Sequence, residues 1–585
     1  MKKYSNAFTQ GGQSLLHQLN MWLQVLRAAM LLSLLGMLLA FVCFLLNKHP
    51  WGDYYFLGAH HLALWRESMS FLPKKFWDTT WILNASRGWV EASNYWLAFN
   101  PANVRFSKDL YASIIISLLQ SAGAFIVIFI LVSWFSIRSG NKRQETKIIK
   151  GYELVSPKKL KRLVNKKGSS NIHINGIPLP RDAECEHILM TGTTGSGKTN
   201  ALQQLLIQIK ALGHKAVIVD TNAGFFSRYY EPFQDKLLNP FDVRSQQWDL
   251  WKECVNDYDY DEFAESLIPS DHYDSFWTKA AQQLLSTTLA KMNLNKDKSL
   301  DELLTLLLNK PLKDVVEYYQ GTSVSAYVDP GAEKTALGIR ATLVSAIRSL
   351  KYVKDQKKVP PFSIRDWIIN DAEKGCLYLS CLPTQREALK PLFSAWLSIA
   401  LKSLMSAGEN RERRVWFIID ELASLNRIPI LMQGLSESRK YGGCMVLSFQ
   451  DFHQLEALYG LQTARTLGAL SGTKVIFRLD SHAAKHMAEL FGQQEILESR
   501  ESISFGAHPM RDGVSLGAEQ RIQPLIAPSD IMQLDNFEAY LKFPRNLPAT
   551  KLRFERSDSA IRHVAFVTKD ASKTIFQETT ETTQA

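Results

Sequence analysis

Cysteine is scarce in this chain: six in 585 residues, at positions 43, 185, 254, 376, 381 and 444. Cys376 and Cys381 are five apart with no second pair, so neither a paired-cysteine zinc site nor a disulfide framework is supported. All six read as small buried apolar residues in a reducing compartment. Internal repeats and low-complexity tracts are missing, which excludes a repeat architecture. Only the Thr/Glu/Gln-rich end, QETTETTQA, reads as a frayed tail (571–585). Net positive charge is missing from most of the molecule. The net charge is +11, but residues 1–168 carry +14, leaving −3 on residues 169–585. The excess is concentrated in 138–168, with 11 Lys/Arg against 2 Glu. Overall basicity is therefore weak support for nucleic-acid binding.

Charge is absent altogether from two long apolar runs. Ala28 to Leu46 is 19 uncharged residues, roughly 28 Å as a helix and just enough to span a bilayer. Leu110 to Ile137 is 28 uncharged residues, long enough to span with tilt. No small-residue cleavage site follows the first run, where the sequence reads NKHPW, so a signal peptide is disfavoured. Lys2, Lys3 and Arg27 precede the first run; Arg138, Lys142, Arg143, Lys147 and Lys150 follow the second. The positive-inside rule then places both termini in the cytoplasm and residues 47–109 outside. That outer loop holds six tryptophans (51, 65, 77, 81, 89, 96), suited to a membrane interface or to contact with another envelope protein.

What is present is a phosphate-binding loop in its proper setting. Gly192-Thr193-Thr194-Gly195-Ser196-Gly197-Lys198-Thr199 has the form G-x-x-x-x-G-K-[ST]. The apolar run Ile188-Leu189-Met190 precedes it as a buried strand would. Leu202, Leu205, Leu206, Ile209 and Leu212 follow on one helical face, and KAVIVD (Lys215 to Asp220) reads as the next strand. In such a unit the backbone N–H groups of Gly195 to Thr199 surround the β-phosphate. Lys198 reaches the β- and γ-phosphates, and the Thr199 hydroxyl ligates Mg²⁺. The expected ligands are ATP and Mg²⁺.

A second acidic element follows. Val415 to Ile419 is a continuous apolar run ending in Asp420-Glu421, where α/β sheets bind ligands. Asp420 is the candidate for holding Mg²⁺ through water, and Glu421 for polarising the attacking water. GGCMVLSFQD repeats the design and ends in Gln450, a candidate γ-phosphate sensor. Arg439 is the candidate arginine finger, donated by a neighbouring subunit, and Arg478 the second candidate.

The length suggests three or four domains. The reading gives a cytoplasmic N-terminus (1–27), a first span (28–46), an outer loop (47–109), a second span (110–137) and a basic juxtamembrane linker (138–168). A nucleotide-binding domain follows in two parts, 169–259 and 357–570, interrupted by a helical segment over 260–356 and ended by the tail.

This arrangement resembles the conjugative coupling proteins of type IV secretion systems, most closely the F-type TraD family. The likeness covers almost the whole chain: TQGGQ, the two spans, GTTGSGKT, LNPFDVRSQQWDLWKEC, IRDW, LKPLFSAWLSIA, GENRERRVWFIIDEL, SRKYGGC and RDGVS. The resemblance implies an α/β fold: a RecA-like P-loop NTPase domain with an all-α insertion domain, preceded by a two-helix transmembrane region. It implies a homo-hexamer under the inner membrane that uses ATP to drive relaxase-bound single-stranded DNA into a secretion channel. Its partners would be relaxosome accessory proteins and inner-membrane channel components. Longer F-type members dock an accessory protein through a C-terminal extension; with the motor followed closely by Ala585, that contact is expected to be absent or made elsewhere. Residues 220–224 (DTNAG) also depart from the lysine-containing turn common in the wider superfamily. The alternative function is a membrane-anchored ATPase that recruits protein effectors to a secretion channel.

Overall fold

A computed structural model of the chain describes residues 2–76, 78–85, 88–144, 147–269, 275–294, 298–353, 360–504, 513–557 and 559–569. The expected tail (571–585), Trp77, the Trp89 side chain and Arg511-Asp512 of RDGVS lie outside the described part. The chain divides into two compact units: Met1–Lys147 with Glu498–Glu519, and Ile148–Leu497 with Gln520–Ala585.

In the first unit, helices α1 (Lys2–Lys48) and α2 (Pro101–Gln144) pack side by side. A Cβ at Gly36 would overlap the Ile128 side chain, so glycine permits the close approach. Trp22–Lys48 and Pro101–Ser139 are long and apolar enough to cross a membrane, with mean hydropathy 2.7 and 2.6. Only 11% of each apolar window is buried, unlike the core helix of a water-soluble domain. Both helices extend past the charge-free runs 28–46 and 110–137. A helix satisfies its own backbone and need not stop where polar residues begin. The segment between them is more than a loop. It holds a helix (Trp51–Ser68), an antiparallel hairpin (Thr80–Ala85 with Gly88–Ser93) and a short helix (Asn94–Phe99). Ala59, Ala63, Leu97 and Ala98 form its small core. There Trp81 packs and donates its indole N–H to Asn94 Oδ1 at 2.6 Å, whereas Trp51, Trp65 and Trp96 stay exposed.

The second unit is built on a ten-stranded sheet. Its main strands are β1 (Ile188–Thr191), β2 (Lys215–Asp220), β3 (Lys236–Leu238), β4 (Cys376–Ser380), β5 (Val415–Ile419), β6 (Gly443–Phe449), β7 (Thr473–Ile476), β8 (Glu538–Lys542) and β9 (Ala549–Arg553). Their spatial order is β9-β8-β7-β1-β6-β5-β2-β4-β3, with Leu154–Val155 as the tenth strand beside β9. From β7 to β3 every pairing is parallel; β8 runs antiparallel to β7 and to β9.

Alternation along the central strands feeds two cores. Val415, Phe417 and Ile419 of β5 enter one, Trp416 and Ile418 the other. Strands buried on both faces read as unbroken apolar runs for this reason. Helix α3 (Lys198–Ala211) covers one face through Leu202, Leu205, Leu206 and Ile209. On the other face, α6 (Arg386–Ser406) brings in Phe393 and Trp396, whose ring meets Trp248 at 5.5 Å.

The helical segment packs on this second face. It contains α4 (Asp257–Leu267), started by a capping box between Asn256 and Asp259, and α5 (Ser275–Leu294). Among the described residues of 257–353 none is in a strand. Leu285 and Leu289 of α5 and Ile339 and Leu343 of the helix Glu333–Ile347 share one core with the sheet. The stretch read as a basic juxtamembrane linker, 138–168, holds regular elements among its described residues. It carries the end of α2, a strand (Lys147–Gly151) and a helix (Pro157–Lys167) whose Leu160 and Val164 are fully buried. Dense surface lysines masked that two-residue apolar stripe.

Candidate nucleotide site

The P-loop leaves the C-terminal end of β1 and turns into α3. Two glycines have a specific cause. A Cβ at Gly192 would sit 2.5 Å from Ser196 Oγ and 2.6 Å from Phe477 Cβ. Gly197 has φ +113° where the loop enters the helix, a backbone that disfavours any side chain. At Gly195 nothing lies within 4 Å of where a Cβ would point, so open space adjoins the loop there. The loop is pinned from both sides. Thr193 donates its N–H to the Arg478 carbonyl at 2.9 Å, and Phe537 donates its N–H to the Ser196 carbonyl at 2.8 Å.

Lys198 is buried, with its Nζ 3.6 Å from Glu421 Oε2. Among the described residues its Nζ has no hydrogen-bond partner, and neither do Ser196 Oγ and Asp420 Oδ1. Burial pulls the Lys198 ammonium below the usual lysine range, opposed by Glu421 and Asp420. Burial pushes both carboxyls up, opposed by Lys198. Orphaned buried charges are costly. Open space beside the loop, a buried cation held only by an ion pair to Glu421 and a buried Asp420 oxygen without a hydrogen bond together fit a polyphosphate with its metal.

Strand order explains Gln450. β6 lies between the P-loop strand β1 and the acidic strand β5. Its end therefore places Gln450 between the two, where its Oε1 accepts from the Thr194 hydroxyl at 2.7 Å and its backbone N–H faces Glu421. Thr199 is exposed on the first turn of α3.

Lys198, Asp420, Glu421, Thr194 and Gln450 are thus brought together, and Arg439 is not. It precedes β6, at the opposite end of the sheet, is 56% exposed and pairs with Glu186 at 3.4 Å. Arg478 does reach the loop, but through its backbone carbonyl.

Two groups carried no sequence signal. Arg386, at the start of α6, donates to Asn222 Oδ1 at 2.6 Å, and its charge opposes the upward shift of Asp420. Asp220 is fully buried at the end of β2 and accepts from the N–H groups of Gly224, Phe225 and Phe226 at 2.8–3.0 Å. Burial, with a contribution from Asp420, pushes its carboxyl up to about 6. The DTNAG turn is thus held by its own aspartate, presenting Asn222 to Arg386.

A parallel sheet with a P-loop, a neighbouring acidic strand and a strand between them defines a RecA-like nucleotide-binding domain. The model of the type IV secretion-system coupling protein DNA-binding domain matches residues 171–555, and the chain belongs to that family. It is 35% identical over 454 residues to the coupling protein TraD of Escherichia coli (strain K12), covering 76% of this chain and 63% of TraD. A shorter match, 30% over 134 residues, links it to the coupling protein VirD4 of Bartonella henselae, covering 23% of this chain and 21% of VirD4. The chain thus spans less than two thirds of the length of these curated relatives. Among solved structures, the unbound bacterial conjugative coupling protein TrwBdeltaN70 superposes with TM-score 0.65 at 30% identity, covering 72% of this chain and 96% of that one. The complex of the plasmid coupling protein TrwB with ADP and Mg²⁺ gives 0.65 at 29%, covering 72% and 98%.

Proposed function

We propose that this protein is an inner-membrane coupling ATPase of a type IV secretion or conjugation system. It links the relaxosome to the secretion channel and uses ATP hydrolysis to drive relaxase-bound single-stranded DNA into it. The observation that carries the reading is the buried Lys198, without a hydrogen bond among the described residues and 3.6 Å from Glu421, at the P-loop beside Asp420. Lys198 and the loop amides bind the β- and γ-phosphates. Asp420 and Thr199 would hold Mg²⁺, which when bound neutralises phosphate charge. Glu421 accepts a proton from the attacking water, and Gln450 positions that water or the γ-phosphate. Arg439, remote from its own P-loop, acts on the neighbour's nucleotide in a homo-hexamer. α1 and α2 anchor the protein with both termini in the cytoplasm.

The test is ATP turnover by the full chain in detergent, with and without single-stranded DNA. Stimulation by DNA is the expected result; turnover indifferent to DNA would favour export of protein effectors instead. Reporters fused within residues 60–100 are expected to be active outside the inner membrane, and those after residue 150 only inside.

A further inference from the structure

A second donor cluster lies beside the P-loop. The helix Phe452–Tyr459 carries His453 and Glu456, and the helix Ser481–Phe491 carries His482 and His486. Spacings of three and four put each pair on one helical face. One ligand atom from each of His453, Glu456 and His482 lies within 4.8 Å of the others. His453 Nδ1 is 3.5 Å from Glu456 Oε2, and His486 Nε2 is 4.0 Å from Glu456 Oε1. The His453 and His482 rings stack at 3.8 Å, and those of His482 and His486 meet at 4.9 Å. The Nδ1 atoms of His482 and His486 are buried without a hydrogen bond among the described residues. Arg465 and Glu489, of opposite sign, also act on His486.

Three imidazoles gathered on one carboxylate are a poor way to fill space. Aliphatic side chains would pack there without stranding buried ring nitrogens, which cost free energy when unpaired. A metal ion uses those lone pairs. We propose that His453, Glu456 and His482 bind one divalent transition-metal ion, with His486 completing the donor set. Imidazole and carboxylate together suit Zn²⁺ and its neighbours, not Mg²⁺, which prefers an all-oxygen shell. Zinc–ligand bonds of about 2.0–2.2 Å require the donor atoms to close in. His453, 60% exposed, is free to rotate toward the others.

The placement gives the ion a role. The helix bearing His453 begins two residues after Gln450, which accepts from Thr194. The helix bearing His482 begins three residues after Arg478, which accepts from Thr193. An ion joining these helices ties together the two strand ends that flank the P-loop strand.

The experiment is Zn²⁺ titration of the full chain in detergent, without a polyhistidine tag, against a chromophoric chelator, with Co²⁺ as a spectroscopic substitute. The expected result is one tight Zn²⁺ per chain and visible Co²⁺ bands, both undisturbed by excess Mg²⁺ and both retained in Lys198→Ala. Glu456→Gln and His482→Ala should each weaken Zn²⁺ at least tenfold, about the range for lost metal support, and remove the Co²⁺ bands. His453→Gln changes an exposed side chain and keeps the test available should the half-buried variants fail to fold. A native chain without a tight Zn²⁺ site, or folded variants that titrate like the native chain, would overturn the proposal.

Discussion

Two buried lysines stand at opposite ends of the same parallel sheet. At the N-terminal end, Lys215 opens β2 and donates to the carbonyls of Trp367, Ile368 and Asn370 at 2.7, 3.3 and 2.6 Å. At the C-terminal end, Lys198 has no hydrogen-bond partner among the described residues. Burial depresses both, Lys215 to about 8. Burial opposes the charge at both ends; three carbonyls answer it by hydrogen bonds at one, and only the Glu421 carboxylate, 3.6 Å away, answers it at the other. A satisfied buried cation fastens elements together; an unsatisfied one marks where a ligand completes the fold.

The largest effects test the unsatisfied end. Lys198→Ala should lower ATP turnover by about 10³-fold or more, the range for lost phosphate clamps. It should abolish DNA transfer while the protein stays membrane-inserted; normal transfer by that variant would sink the motor reading.

Next is Arg439→Ala, expected to bind ATP almost normally in a nucleotide-displacement assay and to lose roughly 10³-fold in turnover. Glu421→Gln should show the same split. With the two residues on opposite sides of one subunit boundary, as proposed, mixing the variants should restore part of the activity. Mixtures that stay inactive despite demonstrated subunit exchange would rule out a finger acting between subunits and leave Arg478 as the next candidate.

Gln450→Ala removes one hydrogen bond to Thr194 and should cost about tenfold in turnover, or ~1.4 kcal/mol. An unchanged rate would reduce Gln450 to a strand end.

The smallest effect tests the satisfied end. Lys215→Met strands three carbonyls and should cost about 1–3 kcal/mol of stability in thermal unfolding, with turnover per folded chain unchanged. The unfolded chain holds the lysine proton into the ordinary lysine range, whereas the folded chain releases it near 8. Stability linked to Lys215 therefore rises with pH above about 8, and the Met variant should rise less steeply. A Met variant as stable as the native protein but slow in turnover would erase the distinction between the two lysines.

Legibility in the sequence followed locality. The P-loop and the Asp420-Glu421 pair lie within single short segments whose spacing carries their chemistry, so both could be read directly. Gln450's position depends on β6 inserting between β1 and β5, a pairing of residues some 250 apart that no local pattern reports. Arg386 is likewise invisible alone, because its meaning comes from Asn222, 164 residues away. The His453–Glu456 and His482–His486 pairs are ordinary helix residues until the fold sets them face to face. The spans were legible as apolar runs, but α1 and α2 outrun them because charge-free length measures hydrophobicity and not where a helix ends.

The helical segment and the sheet share one core, from Trp248 and Trp396 to Leu285 and Leu343. An insertion whose apolar side chains interlock with its host's has no melting transition of its own. Heating the ATP-binding unit should therefore remove both parts in one cooperative step. Shared packing also governs how the segment can move. It cannot swing as a rigid flap about a loop, so any displacement started at the nucleotide would pass into it as the sliding of packed side chains.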